Sequence, residues 1–140
     1  MHGGSFKDLK VYQRAYELAM EIYSISKTFP KEEIYALTDQ IRRSSRSVCA
    51  NFAEAYRKRR YVKHFVSKLT DADAETSETL VWLDFARDAG YLSISDHERL
   101  GGGYQEVGRM LGSMLANPER FLPKDRKISE IEPTYAAVED

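Results

Sequence analysis

Eight cations stand between positions 42 and 63 against a single acid, Glu54: Arg42, Arg43 and Arg46 within one helical turn, then Arg57, Lys58, Arg59, Arg60 and Lys63. Contacts to phosphate need this density, because each Lys or Arg that neutralises a phosphate releases a condensed counterion. Tyr56 and Tyr61 in the same stretch are suited to stacking on unpaired bases. The same residue types have a structural use, since arginines on one helix pair with carboxylates such as Glu75 or Glu78 on the next. We assign Arg42 and Arg43 to such pairs. Arg57, Lys58, Arg59 and Arg60 have no acidic neighbours in sequence, and together with Lys63 they are assigned to solvent and an anionic partner.

Catalytic chemistry finds little material. His2, His64 and His97 fall in a leader, a basic segment and a helix start, with no metal-ligand spacing among them. Gly101-Gly102-Gly103 lacks the preceding strand and the following Lys-Ser/Thr of a phosphate-cradling loop. The acids Asp71, Asp73, Glu75, Glu78, Asp84 and Asp88 lack the Glu-x-x-His motifs by which a four-helix bundle holds two metal ions, so they read as a solvated or salt-bridged face. Cys49, the only cysteine, adjoins the core position Val48 and reads as a small buried hydrophobe. The expectation is a protein without metal or cofactor that binds rather than catalyses.

The chain of 140 residues suits one domain with its own core. A lone cysteine, no signal-peptide pattern and no apolar run of membrane-spanning length place it in the cytoplasm, with no membrane association. Its net charge of −1 conceals a division: residues 1 to 70 carry 14 Lys/Arg against 7 Asp/Glu, and residues 71 to 140 carry 7 against 15. Such polarity means either an anion-binding face or basic and acidic helices laid side by side.

Four amphipathic helices would position these residues. Val11, Ala15, Leu18, Ile22, Ile25 and Phe29 recur at intervals of three and four, the spacing of one helical face. Tyr12, Tyr16 and Tyr23 form a second stripe beside it, more apolar surface than one core contact needs, which means either contact with another subunit or rings lying flat over the bundle edge with their hydroxyls in water. Phe29-Pro30 ends this helix and Pro30 opens the second, with Ile34, Leu37, Ile41, Val48 and Phe52 as its stripe. Ser44 and Ser45 stand where an apolar residue is missing and let another helix come close. No Gly or Pro occurs from Lys31 to Ala89, yet one helix of that length would span roughly 90 Å. A break therefore falls near Tyr56-Arg57-Lys58-Arg59-Arg60, where adjacent cations repel. The third helix carries Val62, Val66, Leu69, Thr76, Leu80 and Leu83 inward and stops at Ala89-Gly90. Ser95 and Glu98 read as a capping box opening the fourth, whose stripe is Leu100, Tyr104, Val107, Leu111 and Met114. Gly101-Gly102-Gly103 should fray its first turns or delay its start. Asn117-Pro118 closes a four-helix domain over 1–117, and the prolines and mixed charge of 118–140 indicate an extended or disordered tail.

Phe6-Lys7-Asp8-Leu9-Lys10-Val11-Tyr12-Gln13-Arg14-Ala15, Phe29-Pro30-Lys31-Glu32-Glu33, Gln40-Ile41-Arg42-Arg43-Ser44 and Asn51-Phe52-Ala53-Glu54 occur in that order. Together they resemble the four-helix-bundle proteins encoded in intervening sequences of bacterial 23S ribosomal RNA genes. The resemblance runs from Phe6 to Leu115. It implies an all-α, up-and-down four-helix bundle assembling into a homopentamer, without established enzymatic activity. Related accessory variability proteins of diversity-generating retroelements bind nucleic acid and a reverse transcriptase, so RNA or a nucleoprotein is the implied partner. Asn51, Glu54 and Glu75 join Arg42 and Arg43 as structural polar residues. The family commonly has glycine where this chain has Ala36 and Ala55, the second bearing on the connection between helices two and three.

Overall fold

A computed structural model describes residues 4–123. Four helices, α1 (Lys10–Ser26), α2 (Leu37–Arg57), α3 (Val62–Asp88) and α4 (Ile94–Ala116), are joined by short connections. α1 and α3 each pack against α2 and α4, so the helices follow chain order around a square and α1 lies diagonal to α3. The all-α four-helix bundle read from the sequence is therefore the fold.

The stripes of α1 and α4 are as expected: Val11, Ala15, Leu18, Ile22, Leu100, Tyr104, Val107, Leu111 and Met114 are all buried. α2 differs at its start. Lys31–Glu33 make a 3-10 turn after Pro30, and the α-helix begins only at Leu37, which leaves Ile34 half exposed outside the stripe. α3 is rotated from the expected stripe. Its inward line is Phe65, Leu69, Ala72, Thr76, Thr79, Leu83 and Ala86, at intervals of three and four, while Val62, Val66 and Leu80 are only partly buried. A search for large apolar residues passes over the alanines and threonines that hold this line.

Those small residues do the work expected of Ser44 and Ser45. Ser44 Oγ and Thr79 Oγ1 lie 2.8 Å apart in the interior, tying α2 to α3 by a hydrogen bond between two fully buried hydroxyls. Thr76 and Thr79 donate back to the carbonyls of Ala72 and Glu75 four residues earlier, at 3.0 and 2.8 Å, so neither brings an unmet polar group into the core.

The break between α2 and α3 falls where the cations repel. α2 ends at Arg57, Lys58 leaves helical geometry and Tyr61 is extended. Among the described residues no non-glycine residue has positive φ, so this elbow is built without the conformational freedom of glycine. Ala55 lies inside α2, fully buried, before the elbow begins. At the far end of α3, Gly90 has φ +83°. Its N–H donates to the Arg87 carbonyl and the N–H of Tyr91 to that of Ala86, a left-handed helix stop.

α4 starts two residues before the expected capping box. Ser93 is the N-cap, its hydroxyl accepting from the Asp96 N–H at 3.0 Å, and Asp96 puts negative charge in the first turn. Neither fraying nor delay is found at the glycines, because the helix runs through all three. Gly103 explains the cluster in part: a Cβ there would lie 2.6 Å from Leu18 Cδ2 and 3.0 Å from an Arg14 nitrogen, so only glycine admits α1 at this distance. After α4, Pro118–Phe121 make a 3-10 turn that rests on the bundle, with Phe121 6.2 Å from Phe65 and Leu122 buried. The expected tail thus begins as a docked turn, and its remainder, 124–140, lies outside the described residues.

Glycine replacement separates packing from propensity. Gly102 is exposed and a Cβ there meets nothing within 4 Å. Gly102→Ala should stabilise the protein by up to about 1 kcal/mol, whereas Gly103→Ala should destabilise it by about 1 kcal/mol once the overpacking of Leu18 is set against the same propensity gain. Urea unfolding of the two variants checks the opposite signs.

Candidate nucleic-acid interface

The basic residues of the sequence separate into three groups. Arg43 on α2 pairs with Glu75 at 3.2 Å and with Glu78 on α3. Glu78 also accepts from the Trp82 indole N–H at 3.1 Å. Burial pushes the Glu78 carboxyl up, but the hydrogen bonds from Trp82 and Arg43 outweigh that and hold it below its ordinary value. Arg42 takes a different partner from the one expected. One helical position round from Arg43, it faces α1, donates from Nε to Ser26 Oγ at 2.7 Å and lies over the Tyr23 ring, 4.9 Å from its centre. It is structural, but it joins α2 to α1 rather than to the carboxylates of α3.

Asn51 and Glu54, three residues apart on one face of α2, converge on a residue that sequence reasoning passed over. Lys68 of α3 donates to Asn51 Oδ1 at 3.2 Å and pairs with Glu54 at 3.0 Å, and Asn51 donates in turn to the Ser47 carbonyl. The Asn-x-x-Glu spacing is a grip on α3. With Arg43 and Glu75 it makes a second polar seam outside the buried hydroxyls, and a lone lysine opposite that spacing was the available signal.

The elbow presents the remaining group, five cations among seven residues from Arg57 to Lys63. Arg57 and Lys58 are exposed, and no carboxylate pairs with either among the described residues. Arg59 folds back, donating to the Tyr56 carbonyl at 2.9 Å with its guanidinium 3.9 Å from the centre of the Tyr56 ring. Arg60 and Lys63 are exposed and each is engaged by another group. Tyr61 is half exposed, edge-on to His64.

A further cluster was not foreseen. Lys27 Nζ, the Arg42 guanidinium and the Arg46 guanidinium lie 4.7, 4.9 and 5.8 Å from the centre of the Tyr23 ring. No carboxylate pairs with any of the three among the described residues. Below this cluster a groove of about 560 Å³ runs between α1 and α2, walled by Tyr12, Tyr16 and Met20 and floored by Ala50 and Ala53, with Arg46 at its rim. The second tyrosine stripe of α1 therefore remains open to solvent, Tyr16 at 52% and Met20 at 50% exposure.

Cys49, at the edge of that groove, is a buried thiol that burial pushes up to about 11. His97 Nε2 lies 2.7 Å from Asp84 Oδ1 and 3.2 Å from Arg87, joining α3 and α4 at the surface. No group of three metal-ligating side chains occurs among the described residues. No described helix is long and apolar enough to cross a membrane.

These features fall within the span that known proteins share. A model of the family described as 23S rRNA-intervening sequence protein matches residues 7–113, which takes in the elbow, both polar seams and the groove. Among solved structures, the chain is similar to a protein of unknown function from the S23 ribosomal protein family of Bacteroides thetaiotaomicron. The two are 26% identical with a TM-score of 0.69, over 75% of this chain and 97% of that one. No curated protein matches.

The Arg43 cluster sets a measurable scale. Arg43 is 44% exposed, so Arg43→Ala should cost about 0.5 to 1 kcal/mol, as a surface pair does, and not the several of a buried one. Because the folded Glu78 carboxyl is held below its ordinary 4.5, its contribution to stability is complete above that pH and is lost as pH falls through the lowered folded value. Urea midpoints compared from neutral pH down to about pH 3 should show a shallower acid loss in Arg43→Ala than in wild type.

Proposed function

This chain belongs to the 23S rRNA-intervening sequence protein family, and from that premise we propose that it is a non-enzymatic, self-assembling bundle that binds RNA in the cytoplasm. The observation that carries the reading is the elbow. Five cations within seven residues close one end of the bundle, and Arg57 and Lys58 point to solvent with no described carboxylate beside them. Like charges so concentrated repel each other, and a polyanion relieves that repulsion while releasing its own counterions. Arg59 stacked on Tyr56 and the half-exposed Tyr61 supply flat surfaces at the same end for unpaired bases.

Self-assembly supports the same reading. The open aromatic groove on α1 is surface that a second subunit would cover, and the family resemblance implies five copies. In an oligomer each elbow recurs, so a long RNA would touch several weak sites at once and gain affinity from their linkage.

The quadruple variant Arg57→Gln, Lys58→Gln, Arg60→Gln, Lys63→Gln should keep its helical content and oligomer mass. Its RNA affinity should fall, with the slope of log affinity against log salt lower by roughly 0.7 to 0.9 for each phosphate that is no longer neutralised. Filter binding across a salt series checks this, and light scattering should give the wild type several times 16.1 kDa, fivefold for a pentamer. A wild-type oligomer with no salt-sensitive affinity for single- or double-stranded RNA would overturn the nucleic-acid reading and favour a scaffold that meets only proteins.

A further inference from the structure

We propose that residues 128–140 fold back over the elbow between α2 and α3 and compete there with RNA, so that the chain carries an acidic occupant for its own basic end. The inference rests on the elbow reading above and adds the regulation of that same surface.

Position comes first. Pro118–Phe121 hold the chain against the start of α3, with the Phe121 ring 6.2 Å from that of Phe65 and Leu122 buried. Phe65 donates its N–H to the Tyr61 carbonyl at 2.9 Å, so the docked turn delivers the chain beside the elbow. Contacts are already made at this end of the bundle: Arg60, Tyr61 and Lys63 of the elbow and Arg120 of the turn are each engaged by another group.

Charge comes second. Residues 124–127 hold three bases and Asp125, after which the sequence changes sign: residues 128–140 hold Glu130, Glu132, Glu139 and Asp140 and no base. The elbow is the reverse, five cations among seven residues. Arg57 and Lys58 have no described carboxylate beside them, and Glu54, the nearest acid in sequence, is taken by Lys68 at 3.0 Å. The acids of residues 128–140 supply the charge that the elbow lacks.

Reach selects the elbow over the other basic surface. Glu130 and Glu132 stand seven and nine residues beyond Pro123, so an extended chain carries them about 23 to 30 Å from the docked turn, which spans the elbow with slack. The Tyr23 cluster lies toward the opposite end of α1 and α2, and covering it would close a longer loop at a larger entropic cost. A segment tethered this near faces the elbow at roughly millimolar effective concentration, against which a free polyanion must compete. The family model stops at residue 113, so the proposed device lies outside the span that the family shares.

The test compares the wild type with the full chain carrying Glu130→Gln, Glu132→Gln, Glu139→Gln and Asp140→Asn, which alters no described residue. If the segment covers the elbow about nine-tenths of the time, it lowers the apparent affinity roughly tenfold. Filter binding of a single-stranded RNA should therefore show the variant binding about tenfold tighter at low salt. Its affinity should also fall more steeply with salt, because the phosphates no longer replace carboxylates that had already displaced counterions. A chain ended after Lys127 should behave alike, and since it keeps the three bases, its gain reports the acids removed. In the wild type, a carbodiimide, which joins carboxylates to amines in direct contact, should link Glu130 or Glu132 to Lys58 or Lys63 within a single chain. A four-acid variant that binds RNA no more tightly than wild type overturns the competition and leaves the elbow reading standing. Tighter binding by the variant without the cross-link in the wild type would mean that the acids repel RNA at a distance, and would overturn the seated contact. Failure of both proteins to bind RNA at any salt would remove the elbow reading itself, and the competition with it.

Discussion

The close approach of α2 to α3 is the constraint on which the rest of the bundle depends. Ser44 and Thr79 satisfy each other in the interior at 2.8 Å, and the alanines and threonines along α3 leave no bulk to hold the helices apart. With the axes this close, side chains on the flanks of the seam meet across it. Arg43 reaches Glu75 and Glu78, and Lys68 reaches Asn51 and Glu54. Gly103 plays the same part between α4 and α1, where Leu18 fills the space a side chain would take. Small residues, not large ones, thus decide which surfaces of the helices remain outside.

What remains outside is unevenly charged. The cations of the basic half are divided between internal use and none: Arg14, Arg43 and Lys68 hold neighbouring helices through carboxylates, while Lys27, Arg46, Arg57 and Lys58 hold no described carboxylate. The division explains how a chain with net charge −1 can still offer two basic surfaces. Acidic residues of α3 neutralise the cations along the seam, and Arg57, Lys58, Lys27 and Arg46 lie away from it. The elbow and the Tyr23 cluster differ in setting. The elbow is polar and terminal, whereas the Tyr23 cations border an apolar trough.

The helix count, the break at the cation run and the stripes of α1 and α4 were legible because large apolar residues recur there at helical spacing. α3 was legible in extent but not in rotation, since Ala72, Thr79 and Ala86, though buried, carry little hydrophobic signal. The start of α4 was misread because Ser93 and Ser95 are equivalent as cap residues, each with an acid three positions on, and it is Ser93 whose hydroxyl accepts from the helix. At the site, Arg43 with Glu75 followed from charge alone. Arg42 did not, because its partners Ser26 and Tyr23 are uncharged and sixteen and nineteen residues away in sequence. The Tyr23 cluster was hidden for the same reason, as an aromatic ring that gathers cations announces itself in space and not in spacing.

The order of helices around the square also governs how the chain reaches this state. α1 meets α2, α2 meets α3 and α3 meets α4 across short connections, so each of these pairings closes a short loop at small entropic cost. Only the seam between α4 and α1 joins the ends of the domain, and Gly103 against Leu18 sits in it. Topologies dominated by such local pairings fold quickly. Among the described glycines, the one a Cβ would crowd therefore lies in the sequence-distant seam, where a single hydrogen atom for a side chain lets α4 settle against Leu18.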